Sequence, residues 1–315
     1  MKKKLFIFLV SPIFSILLFA QDSVVYYRFY KPDSVTLQKR QLTAAGVTLG
    51  SYSGTLILLN SAWYNNYKKT SFHVFNDAKE WQQMDKLGHV WSAYHISRAT
   101  SAMWQWAGLS RKRSVVAGSL SSLGFMTAIE FLDAYSSKWG WSWTDVSTNF
   151  FGTSLFAAQD FVWEDQKVLL KFSSFPIAYN ASLKPRADEL YGNNFQSRLL
   201  KDYNGQTYWL SFNLKSFLPN QNFPAWINIA VGHGANGMFG GFENIAYDEN
   251  GAVSFYRPDI KRYRQWYLSP DVDWTRIKTN KKGLGTFFSL LNAIKIPAPA
   301  LEYSNGKLHG RLIAF

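Results

Sequence analysis

Between residues 84 and 152, polar and ionisable side chains recur at helical spacing inside segments that are otherwise apolar and aromatic. In MDKLGHVWSAYH, Asp85 and His89 are four apart, and in FMTAIEFLDAY, Glu130 and Asp133 are three apart. In GWSWTDVSTNFFG, Asp145, Asn149 and Gly152 fall at i, i+4 and i+7. Each set lies on one face of its own helix. Burying an ionisable group alone among Trp, Phe and Leu costs on the order of several kcal/mol. The helices are therefore expected to turn these faces toward one another around a shared polar centre. The expected fold class is α+β: an N-terminal four-helix bundle with a buried polar centre, then an aromatic-rich antiparallel β region.

The first residues, MKKKLFIFLVSPIFSILLFAQ, set three lysines before an apolar run and Ala20 before Gln21. A charged start and a small-residue exit are the pattern of a secretory signal peptide, expected over 1–20. Pro12 interrupts the run and Leu18 stands at the −3 position. The chain has no cysteine, so Ala20–Gln21 is not a lipobox, and disulfides and thiol chemistry are excluded. Export to the periplasm or outer membrane of a Gram-negative bacterium is the expected address.

The formal net charge is +13, of which Lys2, Lys3 and Lys4 belong to the signal. The rest of the excess falls in short clusters: Arg111, Lys112 and Arg113; Lys261, Arg262 and Arg264; Lys278, Lys281 and Lys282. Such clusters suit an anionic lipid or glycolipid surface, and a solvated basic face produces the same pattern. An envelope protein partner is a further expectation. Nucleic acid is not, because export removes it and no recognition motif is present. The aromatic share of 17% suits a chain that works near a membrane interface.

Helices are expected over 35–63, 81–106, 113–137 and 143–160. Ala117/Ser121 and Gly118/Ser122 are small residues four apart, which lets helix backbones approach closely in a membrane or in a tight bundle. Ser142 precedes Asp145 by three, as in a capping box. None of these segments is an unbroken apolar run of the ~20 residues that a clear membrane span needs. The domain expectation is a helical domain over 21–170, a polar linker over 171–206 and a β-rich region over 207–315. Period-two alternation marks strands at 207–218, 225–235, 264–274 and 307–315, with a turn-like stretch at 239–252 and a short helix, then an extended segment, at 288–302. Ending on Phe315 after an alternating strand is similar to the terminal signal of outer-membrane barrels. Four or five strands, however, fall short of the eight of the smallest barrels.

The ordered set WQQMDKLGHVWSAYH, then Glu130 and Asp133, then SWTDVSTNFFG resembles the YfiM-like family of predicted periplasmic lipoproteins, a domain of unknown function. It is more distantly similar to the VanZ-like membrane proteins. The resemblance covers roughly 80–160. It implies an envelope protein with a polar constellation at Asp85, Lys86, His89, Glu130, Asp133, Asp145 and Asn149, and it supplies no reaction and no cofactor. The missing cysteine departs from the lipoprotein pattern.

Two readings of the residues stand side by side. In the first, the constellation is a structural network: Lys86 pairs with an acidic neighbour, Ser142 and Asp145 cap a helix, and Asn149 bonds a backbone. In the second, His89 is a general base oriented by Asp85, and Glu130, Asp133 and Asp145 act as acid or as ligands of a hard divalent ion. That version is an acid–base or metal-dependent enzyme acting on a lipid-linked or cell-wall substrate. No HExxH, EF-hand, GxSxG, Walker A or dinucleotide motif is present. His89 and His95 are six apart, about 240° around a helix, and do not face one centre. His73 and His233 are expected to be packing residues.

Overall fold

A computed structural model describes residues 33–62, 64 and 67–315 of the chain. The expected signal peptide lies outside the described residues. The fold mixes helix with antiparallel sheet, as expected, and divides into two compact units. One comprises the described residues up to Asn76 together with His89–Lys167 and Ile277–Leu291. The other comprises Asp77–Gly88, Val168–Arg276 and Asn292–Phe315.

The first unit contains four long helices, α1 (Ser34–Ala62), α2 (Met84–Trp106, whose first turn groups with the second unit), α3 (Arg111–Ala134) and α4 (Trp143–Trp163), together with a shorter one within Ile277–Leu291. Ser142 starts α4 as expected, its hydroxyl accepting from the Asp145 N–H at 3.0 Å. One apolar cluster joins Ala44 of α1 to Ala99 and Met103 of α2. Another joins Ala93 and Ile96 of α2 to Phe125 and Met126 of α3. The small residues do what their spacing predicts. Gly118 lies against the α2 backbone at Ser97 and Ser101, and the Ser122 hydroxyl donates to Ala93 O at 2.9 Å. A Cβ on Gly152 would stand 2.2 Å from Val90 O, so α4 also packs backbone to backbone on α2.

The second unit is built on a six-stranded antiparallel sheet in the order β1-β2-β3-β6-β7-β8. Its strands are β1 (Val168–Ser174), β2 (Gln206–Asn213), β3 (Ile227–Asn236), β6 (Tyr263–Val272), β7 (Ala298–Ser304) and β8 (Lys307–Ala314). A separate pair is formed by β4 (Ile245–Tyr247), inside the stretch read as a turn, and β5 (Val253–Tyr256), directly after it. Three corrections follow. The stretch 171–206, read as a linker, carries most of β1 and two short helices, α5 (Lys184–Tyr191) and α6 (Phe195–Lys201). The expected strand over 207–218 stops at Asn213, where that side chain caps the single turn α7 (Leu214–Phe217). The segment read as a short helix with an extended tail resolves into α8 (Lys282–Leu291) and strand β7.

Candidate functional site

Three helices of the first unit bring four of the expected residues together. His89 Nδ1 hydrogen-bonds Asn149 Oδ1 at 3.1 Å and lies 3.6 Å from Glu130 Oε1. On the other side of the ring, Nε2 lies 3.7 Å from Asp145 Oδ1. Glu130 is fully buried and Asn149 nearly so, whereas the His89 side chain keeps 17% of its exposure. The spacing argument explains the convergence: Asp145 and Asn149 are one turn apart on α4, and Gly152 brings that face close to α2. An amide oxygen accepts, so Nδ1 carries a proton toward Asn149 in this amide orientation. Nε2 then offers a lone pair toward Asp145 in the neutral ring, or a second proton in the charged ring. The first state is the tautomer of a metal-ligating imidazole with its other nitrogen held by an oxygen. The second is an ion pair with carboxylates on both sides.

Each of the other expected residues makes contacts of its own. Asp133 is one turn from Glu130 and accepts a hydrogen bond from Tyr64 at 2.7 Å. Burial, with the Asp133 and Glu130 charges adding, pushes the Tyr64 phenol well above its ordinary value. Ser142 caps α4 beneath Asp145. Asp85 stands one turn before His89 on α2, with its carboxylate accepting from Tyr203 at 3.0 Å and from Lys86 at 3.1 Å within the second unit. Lys86 also pairs with Asp77 at 2.7 Å, so it takes the acidic neighbours that the network reading gave it.

Sequence reasoning missed Tyr64. It lies 69 positions from Asp133, beyond the end of α1, and no spacing rule connects the two. Tyr64 also lines a pocket of about 320 Å³ with Tyr67, Lys69, Phe131, Tyr135 and Ser136. Also missed was the polar lining that α2 and α4 give the helix contacts: Ser97, Thr100, Ser101 and Thr153 are all buried. The Ser97 hydroxyl donates to Ala93 O at 2.7 Å and lies 3.3 Å from Thr153 Oγ1, and Tyr52 shares a 2.8 Å hydrogen bond with Thr100. His73 and His233 sit among packing partners, His73 on Trp139 O and His233 against the Trp266 ring.

The segment that carries the site is the one with a recognisable relative. Residues 73–159 match the family model described as Predicted periplasmic lipoprotein (DUF2279). That description supports an exported protein of the periplasm or cell envelope. No curated protein and no solved structure matches the chain.

Proposed function

We propose that this chain is an exported envelope protein that works in contact with membrane lipid, in a structural or lipid-binding role at or near the outer membrane. One observation supports this reading: the polarity of the helical unit runs inward. Leu42, Leu49 and Ile57 of α1, Leu120 of α3, and Phe150 and Val162 of α4 are exposed, while Ser, Thr, Asn and Glu side chains line the contacts between helices. In water that arrangement leaves a large apolar area solvated. Against acyl chains it satisfies both faces, because small and hydroxyl residues hold helices together in lipid.

By length and composition, α1 over Ser34–Ser61 and α3 over Arg111–Ala134 are long and apolar enough to cross a membrane. Neither is an unbroken apolar run, since Gly, Ser and Thr interrupt both, and the sequence reading left a short or polar-lined span open for each. At the start of α3, Lys112 and Arg113 are exposed where anionic lipid or glycolipid phosphates would meet them. The test is alkaline carbonate extraction of native membranes. The reading expects the mature protein to stay in the pellet and to leave only with detergent. Complete release by carbonate or high salt overturns it.

A second reading keeps a specific observation. Asn149 Nδ2 is buried without a hydrogen-bond partner among the described residues, on the same amide as the oxygen that meets His89. A buried donor of this kind fits an acceptor oxygen on a ligand. In this reading the group acts on a lipid-linked or cell-wall substrate, with His89 as base and Asp145 as acid or cation ligand. The separation of His89 Nε2 from Asp145 suits two ligands of one divalent ion. Elemental analysis of protein purified without chelator tests it: stoichiometric metal that is lost in His89→Ala supports the second reading, and its absence removes the cation version.

A further inference from the structure

The antiparallel register of the sheet aligns residues of one face in rows across the strands. Leu210 pairs with Val231, Val231 with Leu268, and Leu268 with Leu301, so these four form one aliphatic row across β2, β3, β6 and β7. All four are exposed. Two residues along β6 and β7, Trp266 pairs with Tyr303, and both are exposed as well. Two residues the other way, Ile229 pairs with Pro270, again exposed.

The opposite face carries the ionic groups. Lys171 and Asp271 are fully or almost fully buried and pair at 2.8 Å, with Ser211 donating to Asp271 at 2.6 Å and Asn228 to Ser211 at 2.8 Å. Farther along the same face, buried Glu302 accepts from Gln265 at 2.9 Å, from Ser304 at 2.7 Å and from Arg311 at 2.6 Å. Trp209, Ala230, Ala300 and Ala314 fill the space between.

We propose that the outward face of this sheet is a lipid-contact surface, packed against the acyl chains of membrane lipid. A sheet with one face in water turns its apolar residues to the core and its charges outward. This sheet does the reverse over several strands, spending desolvation on an inner lysine–aspartate pair while Leu, Val and Ile face out. A protein partner would cover a bounded patch over an ordinary apolar core. Here the alternation itself is inverted, which is the pattern of strands with lipid outside. The aromatic row beside the aliphatic row matches the interfacial position that Trp and Tyr prefer. The inference deepens the proposed function by assigning lipid contact to the second unit.

The chain has no cysteine, so single-cysteine variants need no background removed. Val231→Cys, Leu268→Cys and Leu301→Cys place a thiol at exposed positions on the outward row, and Asn250→Cys in an exposed turn is the aqueous reference. Each is spin-labelled in the full chain, reconstituted into phosphatidylethanolamine/phosphatidylglycerol vesicles, and checked for unchanged circular dichroism. The proposal expects the row labels to collide with oxygen and to be shielded several-fold from a water-soluble nickel chelate relative to Asn250. Chelate access equal to that at Asn250 overturns it in favour of a solvated face. Exclusion of both reagents overturns it in favour of a covering protein. Labels at Leu49 and Phe150 report the helical unit separately, so a solvated sheet beside lipid-facing helices sinks this inference and leaves the proposed function standing.

Discussion

Replacing Gly118 with alanine, and Gly124 with alanine on the same helix, should have opposite signs. In an unhindered helix, alanine is more favourable than glycine by about 1 kcal/mol, because glycine gives up more backbone freedom on folding. Gly124 is open: a Cβ built there meets nothing within 4 Å, so Gly124→Ala should gain most of that value. At Gly118 the same Cβ meets Ser101 N at 2.5 Å, Ser97 O at 2.7 Å and Ser101 Cα at 2.8 Å. Those atoms are the α2 backbone and have no rotamer to change, so α2 and α3 must move apart. Overpacking of this kind costs about 1–3 kcal/mol, and separating the helices also weakens the Ser122 hydrogen bond to Ala93 O. The net for Gly118→Ala is a loss of about 1–2 kcal/mol. At roughly 2–4 °C per kcal/mol, the two variants should melt about 4–10 °C apart. The assay is thermal loss of the helical circular dichroism in mild detergent, with each variant compared with the unmodified chain. A Gly118→Ala protein as stable as Gly124→Ala would refute the backbone contact and the helix packing built on it.

Three further outcomes follow from particular contacts. Ser142→Ala removes the cap on the Asp145 N–H and should cost about 1 kcal/mol, read as a lower melting temperature; an unchanged melt removes the cap from the account. Asp271→Ala leaves Lys171 buried without its carboxylate and should cost about 3–5 kcal/mol, whereas Lys171→Met with Asp271→Leu should recover most of the loss. If the single and double variants melt alike, the pair is not coupled. Lys184 and then Arg198 hold the Asp188 carboxyl below its ordinary value. A depressed carboxyl gives stability that is fully present above the unfolded value of about 4 and fades as pH falls through the folded one. Asp188→Asn should therefore lower stability slightly at neutral pH and leave it unchanged below the folded value, which flattens the acid limb of the stability–pH curve; equal stability of the two proteins at about pH 7 would contradict this.

The helices were legible because their evidence is local. The expected spans 35–63, 113–137 and 143–160 lie within a few residues of α1, α3 and α4, and Ser142 announced the start of α4. The convergence of His89, Glu130, Asp145 and Asn149 was legible for the same reason, since helical spacing assigns each a face and burial cost turns the faces inward. What escaped was non-local. Strand β1 reads VLLKFSS, and Lys171 interrupts it; the Asp271 carboxylate and Val272 O, a hundred positions on, make that lysine acceptable inside. Strand β7 hides behind Pro297 and Pro299, and it pairs with β6 across the α8 insertion. The outward polarity was hidden too. Alternation reveals two faces of a strand, and it does not say which face is the inside.

The central claim is that apolar side chains on the outside of this protein meet acyl chains, and tryptophan reports that contact directly. Trp143, Trp163 and Trp266 are 63%, 41% and 49% exposed, while Trp209 is 1% exposed. In vesicles whose lipids carry bromine in the acyl chains, the account predicts strong quenching of the emission, with much of it lost from a variant in which Trp143, Trp163 and Trp266 are replaced by phenylalanine. Emission unchanged by brominated lipid, in protein that co-floats with the vesicles, would contradict it.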